Sequence, residues 1–204
     1  MTLVLHEYAA SGNCYKIRLT AALLGRQIER RQYDILRGQT RTPAFLRDVN
    51  AAGRVPVLQV GRRMLPESNA GCIYLAQGSW LIPDDRFDWA DMLHWMFWEQ
   101  YSHEPHIATL RLWRTYVGLD NLSAAQLAAI PGKEQQGRAA LAVLDERLGR
   151  SAFLMGDRPN LADVALYAYT HVADEAGFDL GSYRAVTSWI RSVEALDGYV
   201  PLDA

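Results

Sequence analysis

Tyr8-Ala9-Ala10-Ser11-Gly12-Asn13-Cys14-Tyr15-Lys16 lies between a short apolar run, Leu3-Val4-Leu5, and a helix-patterned run from Ile17 to Leu24. A strand therefore hands over to a helix at a hydroxyl and an amide. Such a junction gathers backbone N–H groups at a helix N-terminus, which suits an anion, and a thiolate is one. Ser11 can donate a hydroxyl hydrogen and Asn13 an amide hydrogen, while Gly12 permits close backbone approach. By itself the stretch suits an ordinary helix start equally well, because Ser and Asn are favoured caps.

Working outward, Thr2 to His6 reads as a strand and Cys14 to Gly25 as a helix stopped by its glycine. Glu29 to Asp34 is a second strand. Thr42 caps a short helix that has Pro43 at its first position. Val55 to Val60, the turn Gly61-Arg62 and the return from Met64 form a hairpin, followed by a helix over Glu67 to Ala76. This βαβ-then-ββα order predicts a mixed sheet with helices. Beyond a polar, Pro- and Gly-bearing connection, strand alternation is missing. Helices are expected from Asp88 to about Tyr116, and over Ser123 to Leu148 with a break at Pro131-Gly132. Two more are expected over Leu161 to Gly177 and Tyr183 to Ala195. The expected architecture is an α/β domain over residues 1–77, a linker over 78–87 and an all-α domain over 88–204.

Two further motifs bear on chemistry. In Gly53-Arg54-Val55-Pro56-Val57 a proline interrupts a strand pattern, which a cis Val55-Pro56 bond would explain. Such a turn exposes the Val55 backbone to an extended peptide; an edge strand beginning at Pro56 fits the same residues. In Leu65-Pro66-Glu67-Ser68-Asn69, a strand ends at a helix start with an acid and a hydroxyl. Glu67 can pair with an α-ammonium group, and Ser68 with the nearby N–H groups can hold a carboxylate. A plain helix N-terminus complemented by an acid is the other reading.

The three motifs, in this order and spacing, resemble the thioredoxin-like domain of the cytosolic glutathione transferase family, in its bacterial, serine-type form. Ser11-Gly12-Asn13-Cys14 is similar to the catalytic turn, Val55-Pro56 to the cis-proline loop, and Glu67-Ser68 to the γ-glutamyl site. Asn160-Leu161-Ala162-Asp163 resembles the family's buried Ser/Thr-x-x-Asp capping motif in the helical domain, a structural element. The resemblance implies a thioredoxin-like N-terminal domain followed by an all-helical C-terminal domain. It implies a transferase that uses glutathione as co-substrate, with no other cofactor, against small hydrophobic electrophiles. Ser11 would be the thiolate donor and Asn13 a second donor. Thr40, Arg54, Val55, Pro56, Glu67 and Ser68 would hold glutathione; Thr40 is short for its glycine end, where Gln39, Arg41 or Arg54 can serve instead. Tyr8, Trp98 and Tyr101 would line the electrophile pocket. A homodimer is expected. The asparagine keeps glutathione-dependent disulfide or peroxide reduction open, and a non-catalytic glutathione-binding or interaction module is a third reading.

The bulk properties agree. The chain has 204 residues, 50% hydrophobic, 22% charged, with a formal net charge of −2. That charge gives no electrostatic case for nucleic acid, and no window is long and apolar enough for a membrane span. Two cysteines, Cys14 and Cys72, form neither a disulfide framework nor a Cys-x-x-Cys pair, which fits a reducing cytoplasm. Cys14 sits inside the helix, where burial is the common fate of a free cysteine. His94, His103 and His106 lack a recognisable metal motif, and no metal site is expected.

Overall fold

The structure, a computed structural model, describes residues 2–204. The chain clusters into two compact units: one runs to Ile82 and takes in Leu196–Ala204, and the other is Pro83–Ala195.

In the first unit, strands β1 (Leu3–Glu7), β2 (Glu29–Gln32), β3 (Val57–Val60) and β4 (Arg63–Pro66) form one mixed sheet in the order β2-β1-β3-β4. β2 runs parallel to β1, while β3 is antiparallel to both β1 and β4. Leu5 lies opposite Leu58, His6 opposite Val57, and Val57 opposite Pro66. Helices α1 (Gly12–Leu23), α2 (Pro43–Asp48) and α3 (Ser68–Ala76) complete the unit. Thr42 caps α2, accepting from the Phe45 N–H, with Pro43 at the first helical position as expected. β3 begins at Val57, two residues later than the sequence suggests, because Pro56 has no N–H for the ladder. The Val55-Pro56 bond is cis.

Alternation along the strands sorts the two faces. Leu5 and Leu58 face α1 and α3. There a Cβ on Gly71 would sit 2.7 Å from Ile17 Cδ1, so glycine lets α3 close onto α1. His6 faces the other way, stacked on Tyr33, whose ring meets Phe45 of α2 edge-on at 4.9 Å. The His6 ring lies 2.9 Å from both Tyr33 Oη and Gln59 Oε1. Burial pulls its pKa below the ordinary histidine value, and the Gln59 hydrogen bond opposes this only in part.

The second unit is helical. Asp85 caps α4 (Arg86–Trp98) by accepting from the N–H groups of Phe87 and Asp88. The single long helix expected here runs without interruption to Val117, but with wide π-helical turns at Glu99–His103 and Leu112–Val117 flanking α5 (Glu104–Arg111). The first wide turn precedes Pro105, which cannot donate to the preceding turn. α6 (Ala124–Leu148) is unbroken, which corrects the expected break at Pro131-Gly132. The lost bond falls on a stretch around Leu127 and Ala128 that is exposed, so the orphaned carbonyl is open to solvent. α7 (Leu161–Thr170) ends short of the expected Gly177, and α8 (Arg184–Glu194) closes the set. No helix among the described residues is long and apolar enough to cross a membrane.

α7 is buried along its whole length and is held by the expected capping box. Asn160 Oδ1 accepts from the Ala162 N–H at 2.8 Å, and Asp163 Oδ2 accepts from the Asn160 N–H at 3.0 Å. Asp163 Oδ1 also accepts from the Leu154 N–H and the Trp189 indole, both at 2.9 Å. Burial pushes the Asp163 carboxyl up to about 6, and these donors oppose that rise.

Two outcomes follow from these buried groups. The folded state resists protonating His6, so its contribution is complete above about pH 6.5, the unfolded value, and is lost as pH falls below it. Thermal melting from pH 7.5 down to about 5 should therefore fall more steeply for the wild type than for His6→Gln; parallel slopes would remove His6 from the acid response. Asp163→Ala leaves three N–H donors buried without a partner and should cost about 3 kcal/mol in denaturant titration. A loss under about 1 kcal/mol would show that Asp163 does not hold this corner together.

Candidate functional site

The sheet register assembles the site. With His6 opposite Val57 and Val57 opposite Pro66, the segments after β1, before β3 and after β4 leave the sheet at the same end. Those segments carry Ser11 and Asn13, Val55 and Pro56, and Glu67 and Ser68. One hydrogen bond fastens the first to the third: Ser68 Oγ donates to Asn13 Oδ1 at 3.0 Å. The sequence places these two residues at opposite ends of a ligand. The structure makes them direct partners, a link that two separate motifs do not reveal.

Ser11 is the N-cap of α1, and its Oγ accepts from the Cys14 N–H at 3.3 Å. This bond uses one lone pair; the hydroxyl also lies within hydrogen-bonding reach of the Cys14 thiol, and its hydrogen rotates about the C–O bond. Ser11 is half-buried, so that hydrogen is within reach of a ligand. Its chain neighbours are committed differently. The Tyr8 N–H donates to Cys14 Sγ at 3.4 Å, and the Ser11 N–H donates to the Tyr8 carbonyl at 3.0 Å. Cys14 is fully buried, and that burial pushes its thiol up to about 12. It belongs to the core.

At the start of α3, Glu67 is exposed and holds φ 73°, a left-handed value rare for a non-glycine residue. Its side chain does not cap the helix, so it projects away from the first turn. Ser68 beneath it is buried. Backbone held this way at a binding end is the kind of local strain that tends to mark function.

The residues expected at the glycine end separate. Thr40 is buried in a 3-10 turn, while Arg54 is exposed. Gln39 Oε1 accepts from the Asp34 N–H, and Arg41 reaches the Ala52 carbonyl at 3.1 Å. Gly53, at φ 63°, is pressed against that arginine; a Cβ there would lie 2.6 Å from Arg41 Nη1. Arg54 is the cation in this group whose side chain is committed to no contact among the described residues.

In the helical unit, Trp98 and Tyr101 line an open apolar groove of about 630 Å³ with Ala90, Leu93, His94 and Phe97. Trp98 packs edge-on against Trp95 at 5.5 Å, and Tyr101 is 85% exposed. His94 lies 3.2 Å from Asp91, and His103 Nε2 lies 3.0 Å from Thr170 Oγ1. No cluster of three or more His, Cys, Asp or Glu among the described residues is placed to hold a metal ion.

Comparison with known proteins fits this geometry. Residues 1–77 match the glutathione S-transferase N-terminal domain, and residues 124–192 match the glutathione S-transferase C-terminal domain. The chain belongs to the glutathione transferase family. A possible glutathione S-transferase of Rhodopseudomonas palustris superposes with a TM-score of 0.94 at 41% identity, covering 100% of this chain and 91% of that one. A glutathione S-transferase of Pseudomonas fluorescens Pf-5 gives 0.91 at 39% identity, covering 99% of both chains. A maleylacetoacetate isomerase of Pseudomonas aeruginosa is 30% identical over 199 residues, 89% of this chain and 86% of that protein. The thioredoxin-like domain with a helical partner domain is thus the fold of this glutathione transferase family member.

Burial at Cys14 and Cys72 has a direct chemical readout. Iodoacetamide at about pH 8 should leave both thiols unmodified in the folded protein and label both after denaturation. Rapid labelling of Cys14 in the native state would return it to the set of candidate nucleophiles.

Proposed function

We propose that this chain is a glutathione transferase in which the Ser11 hydroxyl holds the glutathione thiolate for attack on small hydrophobic electrophiles. The observation that carries this reading is the split use of Ser11. Its oxygen accepts from the Cys14 N–H, and its rotatable hydrogen can turn from the buried Cys14 sulfur toward a ligand thiolate. A free thiol has a pKa near ~8.5, and lowering it by about two units takes roughly 2.7 kcal/mol of preference for the thiolate. A charge-assisted hydrogen bond and the positive end of α1 together suffice for that.

The remaining roles follow the peptide outward from sulfur. The Val55 backbone, exposed before Pro56, offers strand-like pairing to the middle of the tripeptide. Glu67 takes the α-ammonium group, and the first turn of α3 at Ser68 takes the adjacent carboxylate. Arg54, an exposed cation, takes the glycine carboxylate in place of Thr40, which is short, uncharged and buried. Trp98 and Tyr101 line an apolar groove within the helical unit that suits a small hydrophobic compound, and Tyr8 flanks the turn. Phe87 and Phe97, 78% and 68% exposed, offer apolar surface for pairing with a second copy.

Disulfide reduction is the rival chemistry, and Asn13 favours it. Its amide is oriented by Ser68 at the second position of α1, beside the place of the thiolate. Isomerisation is the reaction named for the Pseudomonas aeruginosa relative.

Ser11→Ala should lower conjugation of a chloronitrobenzene at least about tenfold while the KM for glutathione stays within about threefold. Unchanged turnover would sink the role of Ser11. The same proteins assayed with a mixed glutathione disulfide identify the reaction: turnover there without conjugation makes the chain a reductase. Glutathione binding with no turnover in either assay makes it a binding module.

A further inference from the structure

α1 is almost wholly buried, yet it carries Arg18 among Ile17, Leu19 and Thr20. Each end of the Arg18 guanidinium is occupied. Nη2 donates to the Ala9 carbonyl and the Leu202 carbonyl, both at 2.8 Å. Nη1 donates to the Ala204 carbonyl at 3.2 Å, and Nε lies 3.4 Å from Glu7 Oε2. Glu7 is fully buried at the end of β1 and also takes Arg30 and Gln32 on its other oxygen. One side chain thus ties the last residue of β1, the turn that carries Ser11, and the segment Leu202–Ala204.

The same helix face holds the rest of that segment. Tyr15 Oη donates to the Val200 carbonyl at 2.6 Å, and Arg30 Nη1 donates to the Ala204 carbonyl at 2.7 Å. Gly198, at φ 84°, lies against Ala22, where a Cβ would come within 2.8 Å of the Ala22 carbonyl. Tyr15, Arg18 and Ala22 are spaced by three and four residues, so they line one stripe of α1.

We propose that Arg18 is a positioning residue for the thiol-holding turn and that segment 198–204 sets its geometry. This rests on the function proposed for Ser11. Ala9 is two residues before Ser11, and Arg18 holds its carbonyl. That bond ties the turn to the middle of α1, beside the bonds the turn makes from the Ser11 N–H to Tyr8 and from the Tyr8 N–H to Cys14 and the Ser68 bond to Asn13. Arg18 also offsets Glu7, a buried negative charge one residue before Tyr8. The turn feels both: burial dominates at Cys14, but Glu7 adds to the rise of its thiol and Arg18 opposes it. A thiolate at Ser11 would sense the same pair. Lysine cannot replace this contact set, because three carbonyl acceptors shared between two terminal nitrogens need a guanidinium fork.

The test uses Arg18→Met, Arg18→Lys and Gly198→Ala, the last displacing segment 198–204 at a distance from the turn. Amide exchange is read first, without glutathione. In Arg18→Met, the N–H groups of Ser11, Cys14 and Tyr15 should exchange about tenfold faster while those of β1 and β3 keep wild-type rates. The thiolate absorbance of bound glutathione should then give a pKa raised by about one unit, with kcat near pH 6.5 down about tenfold and KM within about threefold. Arg18→Lys and Gly198→Ala should shift both readouts in the same direction. Adding Gly198→Ala to Arg18→Met should change neither further, because both act through one contact. Wild-type exchange at the turn in folded Arg18→Met would overturn the proposal. So would equal acceleration at the turn and in β1 and β3, which marks general loosening. If Arg18→Met does not fold, the same two outcomes in Arg18→Lys and Gly198→Ala decide the role of Arg18. A wild-type protein that leaves the glutathione pKa unshifted would refute the function proposed for Ser11, while the exchange data still decide the role of Arg18.

Discussion

The register of β3 is the constraint on which the site depends. β3 is only four residues long, yet it pairs with β1 on one side and β4 on the other. A slip of one residue would turn Leu58 away from Leu5 and expose the apolar face that meets α1 and α3. The hydrophobic pattern therefore fixes the register, and the register fixes which loops share an end of the sheet. The candidate site residues lie on three segments that are remote in sequence and leave the sheet at one end because of strand pairing. The hydrogen bond from Ser68 to Asn13 then ties the first and third segments side chain to side chain.

Charge placement follows from the same packing. Glu7 lies at the end of β1, on the face covered by α1, and a carboxylate there is costly unless it is paired. Arg18, Arg30 and Gln32 pair it from a helix and from the neighbouring strand. Arg18 and Arg30 in turn keep donors for the backbone of the final residues. A burial problem created by one strand residue is thus solved by groups that also anchor the turn and the chain end. His6, the preceding residue, points to the opposite face and solves its own burial with the uncharged partners Tyr33 and Gln59. The contrast comes from the alternation of a strand: adjacent polar residues occupy unrelated environments.

Local signals are legible in the sequence. Ser11, Thr42 and Asn160 each sit where a cap belongs, and each accepts a backbone N–H in the structure. The cis peptide at Val55-Pro56 follows from a proline that a ladder cannot use. What the sequence conceals is pairing across distance. Nothing near Asn13 names Ser68 as its partner, and nothing near Arg18 announces the carbonyls of Leu202 and Ala204. The one local hint is a pair of charged residues, Lys16 and Arg18, in a helix otherwise patterned for complete burial. Helix interruptions are hard to place for a related reason. Pro131 looks like a break, but the cost of a proline depends on whether water can reach the carbonyl it orphans, and that depends on exposure. Pro105 looks like a kink, and the chain answers it with a π-helical turn one step earlier.

Ser11 and Cys14 show how three residues of helix separate a ligand-facing group from a core group. Both bear a heteroatom that can stabilise or become an anion, and one hydrogen bond joins them. The cap position has non-helical backbone and stands outside the first turn, so its hydroxyl keeps one side toward solvent. The residue at the third helical position turns back under the strand end and is sealed by the Tyr8 N–H. Burial then makes the cysteine thiol a poor acid, while the exposed hydroxyl, itself far too weak an acid to ionise, is free to donate to a thiolate brought from outside. The protein thus keeps its own sulfur protonated and, on the function proposed for Ser11, holds a borrowed one ionised on opposite sides of a single hydrogen bond. On that reading Ser11 serves the borrowed sulfur because the Cys14 N–H holds its oxygen at the cap while its hydrogen stays free to rotate toward the ligand side.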